Sequence, residues 1–74
     1  MIASEAVREV MKEQGVGVTR VANRLNKSPR LVSERLRQES LTTPKLNELL
    51  RALDYKIVVI PKGSRVPDGG YEIE

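Results

Sequence analysis

Cysteine, histidine, tryptophan and phenylalanine are all absent from this chain of 74 residues, whose only aromatic residues are two tyrosines. Without cysteine the chain cannot form disulfides, and without cysteine or histidine only carboxylates remain as plausible metal ligands. The core must consist of Leu, Val, Ile, Ala and Met, and a core of this size rarely stabilises a fold by more than a few kcal/mol. We expect no metal and no cofactor, and a partner chain is the external support that this composition still allows.

The chain also lacks the patterns typical of membrane, secreted and catalytic proteins. It has no apolar stretch near the length of a membrane span, and residues 1–14 lack the apolar region of a signal peptide, so we expect a cytoplasmic protein. A glycine-rich phosphate loop, a nucleophile with its base and a carboxylate pair in a pocket are all missing. Glu5, Glu9 and Glu13 lie near Arg8 and Lys12 at helical spacing, which favours a solvated face of ion pairs over a cation site. The sequence therefore predicts that the protein is not an enzyme.

Apolar residues repeat at helical spacing in four segments, which predicts a mainly α fold over residues 1–54. The predicted helices cover Ile2 to Gln14, Val18 to Leu25, a segment that begins at Pro29, and Pro44 to Leu53. Gly15 and Asn26 are suited to the left-handed conformation that ends a helix. Ser28 before Pro29 and Thr43 before Pro44 are both typical helix starts, a capping hydroxyl followed by proline.

The pattern changes after Asp54, where a β-branched run bounded by Pro61 predicts a strand from Tyr55 to Ile60. We expect this strand, or a hairpin with Gly70 to Ile73, to make residues 55–74 a dimerisation segment, although these last residues are equally compatible with a frayed tail. A strand with apolar residues on both faces leaves one face and one edge open on a monomer. The predicted homodimer interface consists of Tyr55, Ile57, Val58, Val59 and Ile60.

The positive charge of the chain is concentrated in one short region. Between Arg20 and Arg37 there are six cations and one anion, Glu34, which gives this window a charge of +5 while the whole chain carries +3. The cations of the window are Arg20, Arg24, Lys27, Arg30, Arg35 and Arg37. Unpaired like charge destabilises a surface unless an anion binds there, so the window predicts a nucleic-acid interface. Double-stranded DNA is favoured over RNA because the window offers no aromatic residue to stack on bases.

The helix that begins at Pro29 has two distinct faces at 100° per residue. Val32 and Leu36 fall on one arc and should face the core. The opposite arc carries Arg30, Ser33, Glu34 and Arg37, and Leu31 and Arg35 lie at its sides. Arg donates well to guanine, Glu accepts from cytosine and Ser serves either role, so we expect these four residues to read bases in the major groove.

Val21-Ala22, Leu25, the short turn and Val32-Ser33 together resemble the helix-turn-helix of the lambda-repressor/Cro-like (XRE) family of phage and bacterial regulators. The resemblance extends over residues 2–62, with the helix-turn-helix at about residues 18–38. It implies a four-helix DNA-binding domain, with the small Ala22 allowing a close helix crossing and Asn26 in a turn position that is commonly Gly. The family's recognition face then falls on Ser28, Arg30, Ser33, Glu34 and Arg37. Where the family often has an apolar residue, this chain has Arg35.

The resemblance implies a sequence-specific transcriptional regulator, more specifically a repressor, that binds a pseudo-palindromic operator as a homodimer. The start of the first motif helix usually meets a phosphate in this family. The phosphate contacts that we expect are Thr19, Arg20, Lys27, Ser28, Thr42 and Lys45. The alternative is an antitoxin or a protein-interaction adaptor with the same fold. The tail after Pro61 has no role in the helical core, so under this alternative it would cover a toxin or another partner protein.

Overall fold

The computed structural model describes residues 1–74 and contains four α-helices and no β-strand. The helices are α1 (Ala3–Gln14), α2 (Val18–Leu25), α3 (Pro29–Arg37) and α4 (Thr43–Ala52). The predicted mainly α fold is confirmed, and the helix bounds lie close to those expected from the apolar spacing. None of these helices combines the length and the apolar character that crossing a membrane requires.

Local signals in the sequence set the helix ends. Gly15 and Asn26 end α1 and α2 in the left-handed conformation, with φ angles of 65° and 56°. The Ser28 hydroxyl oxygen accepts a hydrogen bond of 3.2 Å from the Leu31 N–H at the start of α3, as predicted. The expected cap of α4 was wrong by one residue. Thr42, rather than Thr43, occupies that position, and its hydroxyl accepts from the Lys45 N–H at 3.4 Å.

The core lies where the four helices meet. Helix α2 packs against α3 and α4, and α1 packs against the same two helices. Ala22 is fully buried, which is consistent with a small residue at a close helix crossing. The largest fully buried side chains are Leu49, Leu53, Val7, Val10, Val21 and Val32. This core fixes the rotation of α2 and α3, and so decides which of their side chains reach the surface.

The predicted strand from Tyr55 to Ile60 is absent, and so is the hairpin with Gly70 to Ile73. Backbone groups of residues 56–60 neither donate nor accept a hydrogen bond within the chain. A β-branched sequence forms a strand only when a second strand satisfies its backbone, and no other segment lies alongside to do so. The four apolar side chains of this run are exposed, from 39% for Ile57 to 97% for Val59.

The chain's last residues return to α1 instead of pairing with residues 55–60. Tyr71 packs against the core, and its hydroxyl donates to the Glu13 carboxylate on α1. The Glu74 N–H donates to the Met1 carbonyl at 3.1 Å. The Tyr55 hydroxyl donates to the Gly69 carbonyl at 3.1 Å, which closes residues 56–68 into a loop. The C-terminal segment therefore consists of a loop with an exposed apolar run and a tail docked on α1.

Candidate nucleic-acid interface

Helix α3 presents one anchored face and one open face. Val32 is fully buried and Leu36 is 6% exposed, so both lie in the core as the spacing predicted. Arg30, Glu34 and Arg37 are exposed on the opposite side. Ser33 is only half-buried, because it lies at the edge of a groove where α1 and α2 approach α3. Three of the four predicted base-reading residues are therefore fully open to a ligand, and Ser33 is accessible at the margin.

Arg30 and Glu34 form an ion pair one turn apart on the open face. The Arg30 Nε donates to the Glu34 Oε1 at 3.3 Å. The Arg30 side chain is 88% exposed and that of Glu34 is 52% exposed. Solvent screens such a pair strongly, so it contributes little to stability and a stronger ligand can displace it. The pair engages the Nε atom of Arg30 and leaves both terminal nitrogens of the guanidinium without a partner in the protein.

Arg35 lies against the protein instead of at the open side of α3. Its guanidinium contacts the Glu48 carboxylate on α4 at 2.5 Å, and the two side chains are only 12% and 29% exposed. The hydrogen bond from Arg35 lowers the pKa of Glu48 more than partial burial raises it. The expectation that Arg35 is a peripheral, unpaired cation was therefore wrong. Glu48 is thirteen residues away, outside the three- and four-residue spacing that helical ion pairs follow.

Arg24 also acts within the protein. Its guanidinium donates to the Ala52 carbonyl at 2.8 Å, at the C-terminal end of α4. The last carbonyls of a helix have no partner within the helix, and a cation near them also interacts favourably with the helix dipole. Arg24 thus stabilises the end of α4, and its charge is partly committed there. Two of the six cations in the basic window are structural in this way.

Arg8 on α1 makes no ion pair with the acidic residues of its own helix, although the helical spacing predicted one, and it lies instead beside the candidate interface. Its guanidinium donates to the Leu36 carbonyl at 2.6 Å, in the last turn of α3. It also lines the groove between the first three helices, whose members are Arg8, Met11, Val18, Ser33, Leu36 and Arg37. Arg8 and its acceptor are 28 residues apart, so no spacing rule connects them. Arg8 holds the end of α3 and places a further positive charge beside it.

The first turn of α2 offers free backbone donors beside a cation. Gly17 precedes the helix and provides no side-chain cap, and the first helical hydrogen bond is donated by Val21. The N–H groups of Val18, Thr19 and Arg20 therefore have no partner in the chain. Thr19 and Arg20 are exposed at the rim of an open depression next to this turn. Unpaired N–H groups at a helix N-terminus and an adjacent guanidinium are a suitable environment for an anion.

The other predicted phosphate contacts are exposed but differ in what they offer. Lys27 follows the α2–α3 turn and makes no ion pair, and Lys45 is equally free in the first turn of α4. The hydroxyl oxygens of Ser28 and Thr42 already accept capping hydrogen bonds. A hydroxyl that accepts in this way still has its own proton to donate.

The predicted dimer residues follow the basic window in the sequence, and no hydrogen bond or ion pair joins them to its side chains. Tyr55 is half-buried against the core, whereas Ile57, Val58, Val59 and Ile60 are exposed in the loop of residues 56–68. No group of three or more acidic side chains is arranged to hold a metal ion. Comparisons with protein-family models, with curated proteins and with solved structures give no match to this chain.

Proposed function

We propose that this chain is a sequence-specific double-stranded DNA-binding regulator of the lambda-repressor/Cro-like type, and that it acts as a repressor. The observation that carries the proposal is the set of exposed cations on and between α2 and α3. Arg20, Lys27 and Arg37 make no ion pair, and Arg30 has only a solvent-exposed one. Such a surface attracts a polyanion, because neutralising phosphates releases counterions.

Helix α3 is the element that we propose enters the major groove. Val32 and Leu36 fix its back against the core, so its open face is held in one orientation. On that face the proposed base-reading residues are Arg30, Ser33, Glu34 and Arg37. Guanine O6 and N7 accept from Arg, and cytosine N4 donates to Glu. A small rigid domain that covers a promoter can repress transcription by occlusion alone.

Phosphate contacts on both sides of α3 would fix the orientation of the domain on DNA. The proposed contacts are Thr19, Arg20, Lys27, Ser28, Thr42 and Lys45. The start of α2 is the most favourable of these positions, since Arg20 lies next to three unpaired backbone N–H groups. Lys45 and Thr42 occupy the corresponding first turn of α4.

Homodimerisation completes the proposal. The exposed run from Ile57 to Ile60 has unpaired backbone groups and apolar side chains, which a second copy can cover by pairing in antiparallel fashion. The absent strand would then form only in the dimer. Two α3 helices related by a two-fold axis would read half-sites about 34 Å apart on a pseudo-palindromic operator.

Selection of bound sites from random duplex DNA, followed by titration of the preferred site at several salt concentrations, tests this proposal. We expect a symmetric site, and an affinity that falls steeply with salt, with a slope near −0.9 per phosphate contact. Arg20→Ala and Lys27→Ala should weaken binding to all DNA sequences about equally and should make the dependence of affinity on salt less steep. Arg37→Ala should cost about 1–3 kcal/mol on the preferred site and relax its sequence preference.

Glu13→Gln and Glu72→Gln are suitable controls, since both alter charge near the tail docked on α1 rather than on α3. They should leave the sequence preference unchanged. Absence of duplex binding at low salt, or an affinity independent of salt, would contradict the proposal.

The exposed run from Ile57 to Ile60 also favours a second candidate function, an antitoxin or adaptor that binds another protein. In that case a toxin or other partner, instead of a second copy, would cover the loop of residues 56–68. Hydrogen exchange of residues 56–60 in the purified chain distinguishes the two candidates. Protection in the chain alone supports the homodimer, whereas protection only with a co-purifying protein supports the adaptor.

A further inference from the structure

The exposed pair on α3 has a specific geometry at Arg30. The guanidinium is bonded to Glu34 through its Nε atom, at 3.3 Å. The two terminal nitrogens of that guanidinium remain free, because no other hydrogen bond or ion pair involves Arg30. The Arg30 side chain is 88% exposed, and Glu34 is the only polar group of the protein that bonds to it.

We propose that Glu34 acts through Arg30 and does not itself contact a base: it is a positioning residue that presents the terminal edge of Arg30 to a guanine. This inference rests on the DNA-binding function proposed above and replaces the role of Glu34 as a base reader in it. Guanine offers two acceptors, O6 and N7, that match two guanidinium nitrogens. A long, free Arg side chain loses rotamer entropy when it is fixed on a base. A carboxylate one turn further along the same helix restricts that motion before DNA arrives, which reduces the cost of binding.

Glu34 also makes Arg30 selective between bases and phosphates. It is the only acidic residue between Arg20 and Arg37, and it is surrounded by cations that attract any DNA. A carboxylate next to Arg30 repels phosphate oxygens, so a backbone contact by Arg30 is penalised whereas an end-on contact with a base edge is not. Specificity then comes from an unfavourable interaction with the wrong ligand as well as a favourable one with the right ligand.

A comparison of three variants tests this role: Glu34→Ala, Glu34→Gln and the control Glu39→Ala. Glu39 is an exposed acid just beyond the end of α3 that makes no ion pair. Its replacement by Ala changes the net charge by the same amount as Glu34→Ala. The measurement is affinity for the selected site, for each of its single-base variants and for random duplex DNA at one salt concentration. Glu34→Ala should lower the ratio of specific to random affinity about two- to fivefold relative to Glu39→Ala, the range that the energy of an exposed ion pair allows.

Two further outcomes separate positioning from repulsion. Glu34→Gln keeps an oxygen acceptor for the Arg30 Nε, so it should restore part of the preference at the affected guanine while random DNA still binds more tightly than to wild type. When Arg30→Ala is already present, Glu34→Ala should have no further effect at that guanine. Both results would show that Glu34 acts through Arg30.

Equal effects of Glu34→Ala and Glu39→Ala would overturn the inference, because Glu34 would then be an ordinary solvated acid. A preference lost at a cytosine, and lost equally in the Arg30→Ala background, would overturn it in favour of direct base reading by Glu34. Both outcomes require that the wild type binds duplex DNA. A wild type that binds none would instead refute the proposed function itself, so the two failures are distinguishable.

Discussion

The arginines of this chain fall into two groups, according to whether the guanidinium has a hydrogen-bond acceptor within the protein. Arg35 meets a carboxylate on α4, and Arg24 and Arg8 meet carbonyls at helix ends. Arg20 and Arg37 meet no acceptor in the protein. The planar guanidinium is suited to both roles because it donates in several directions and is always charged. Individual acceptors, more than total charge, therefore separate the cations that stabilise the fold from those that remain free for a ligand.

Arg35→Ala should lower the free energy of unfolding by about 1–2 kcal/mol, between the values for exposed and buried ion pairs. The reason is the partly buried contact with Glu48, whose carboxylate would lose its partner. Arg37→Ala is the matched control on the same helix and should change stability by no more than about 0.5 kcal/mol. Urea unfolding of both variants at pH 7 provides the comparison. Equal stabilities for the two variants would show that the pair contributes nothing.

The pH dependence of the same pair has a defined sign. The folded-state pKa of Glu48 is below its ordinary value of 4.5, chiefly through the hydrogen bond from Arg35. The pair's contribution is therefore fully present above pH 4.5 and is lost as the pH falls through the lowered folded-state value. Wild type should be more stable than Glu48→Gln at pH 7, and this difference should shrink in acid. A difference that grows in acid would contradict the assigned pKa direction.

At the scale of elements, the helices could be predicted because their signals are local. Gly15, Asn26 and Ser28 define helix ends through their own conformations and their nearest neighbours. The buried positions of α3 followed from spacing alone. The partners of Arg35 and Arg24 lie thirteen and 28 residues away, so they depend on how the helices pack and no local pattern encodes them.

The strand predicted for Tyr55 to Ile60 fails for a related reason. β-Propensity describes a fit to a neighbouring strand and has little meaning for a segment without one. The return segment that was expected to pair is held elsewhere, by the contacts of Tyr71 with Glu13 and of Glu74 with Met1. The sequence pattern correctly identified the apolar run, but it could not show that no second strand lies beside this run.

The turn between α2 and α3 should respond to substitution according to backbone conformation. Asn26 has a φ of 56°, in the left-handed region that non-glycine residues enter at a cost. Asn26→Gly should be neutral or stabilising, whereas Asn26→Val should lower the free energy of unfolding by about 1–2 kcal/mol because of its branched Cβ. Thermal melts of the two variants measure the difference. Asn23→Val, in the helical region of α2, controls for the loss of the amide, and an equal effect there would contradict this explanation.

At the scale of the whole molecule, the basic window and most of the exposed apolar side chains belong to different segments of the chain. The cations on α2 and α3 are exposed on the helical domain, whereas the exposed apolar side chains are concentrated in the loop of residues 56–68. The molecule is elongated, with extents of 38 × 22 × 16 Å. A core of thirteen residues provides limited stability for a chain of this length. A second copy that covers the loop would therefore add stability, and it would also bring a second copy of the proposed DNA-binding surface.

The double variant Val58→Glu/Val59→Lys should be folded but monomeric, with much weaker operator binding than wild type. The two side chains are 55% and 97% exposed, so substitution leaves the helical core intact. In an antiparallel dimer whose two-fold axis passes through residue 58 or 59, that residue faces its own copy on the partner. The variant then places two like charges opposite each other and buries the other charge against an apolar side chain, which opposes association. Molecular mass by sedimentation at micromolar concentration, for wild type and variant, provides the measurement.

Lys56→Ala/Lys62→Ala is the companion variant in the same loop, and it leaves the apolar run itself unchanged. These two lysines flank the apolar run and limit open-ended pairing, so their replacement should permit dimers and also larger assemblies. Dimerisation should raise affinity for a full operator over a half-site, because the second domain binds at a high effective concentration once the first is bound. A wild-type monomer that binds a single half-site as tightly as the full operator would end the dimer hypothesis. The exposed run from Ile57 to Ile60 would then need a different protein to cover it.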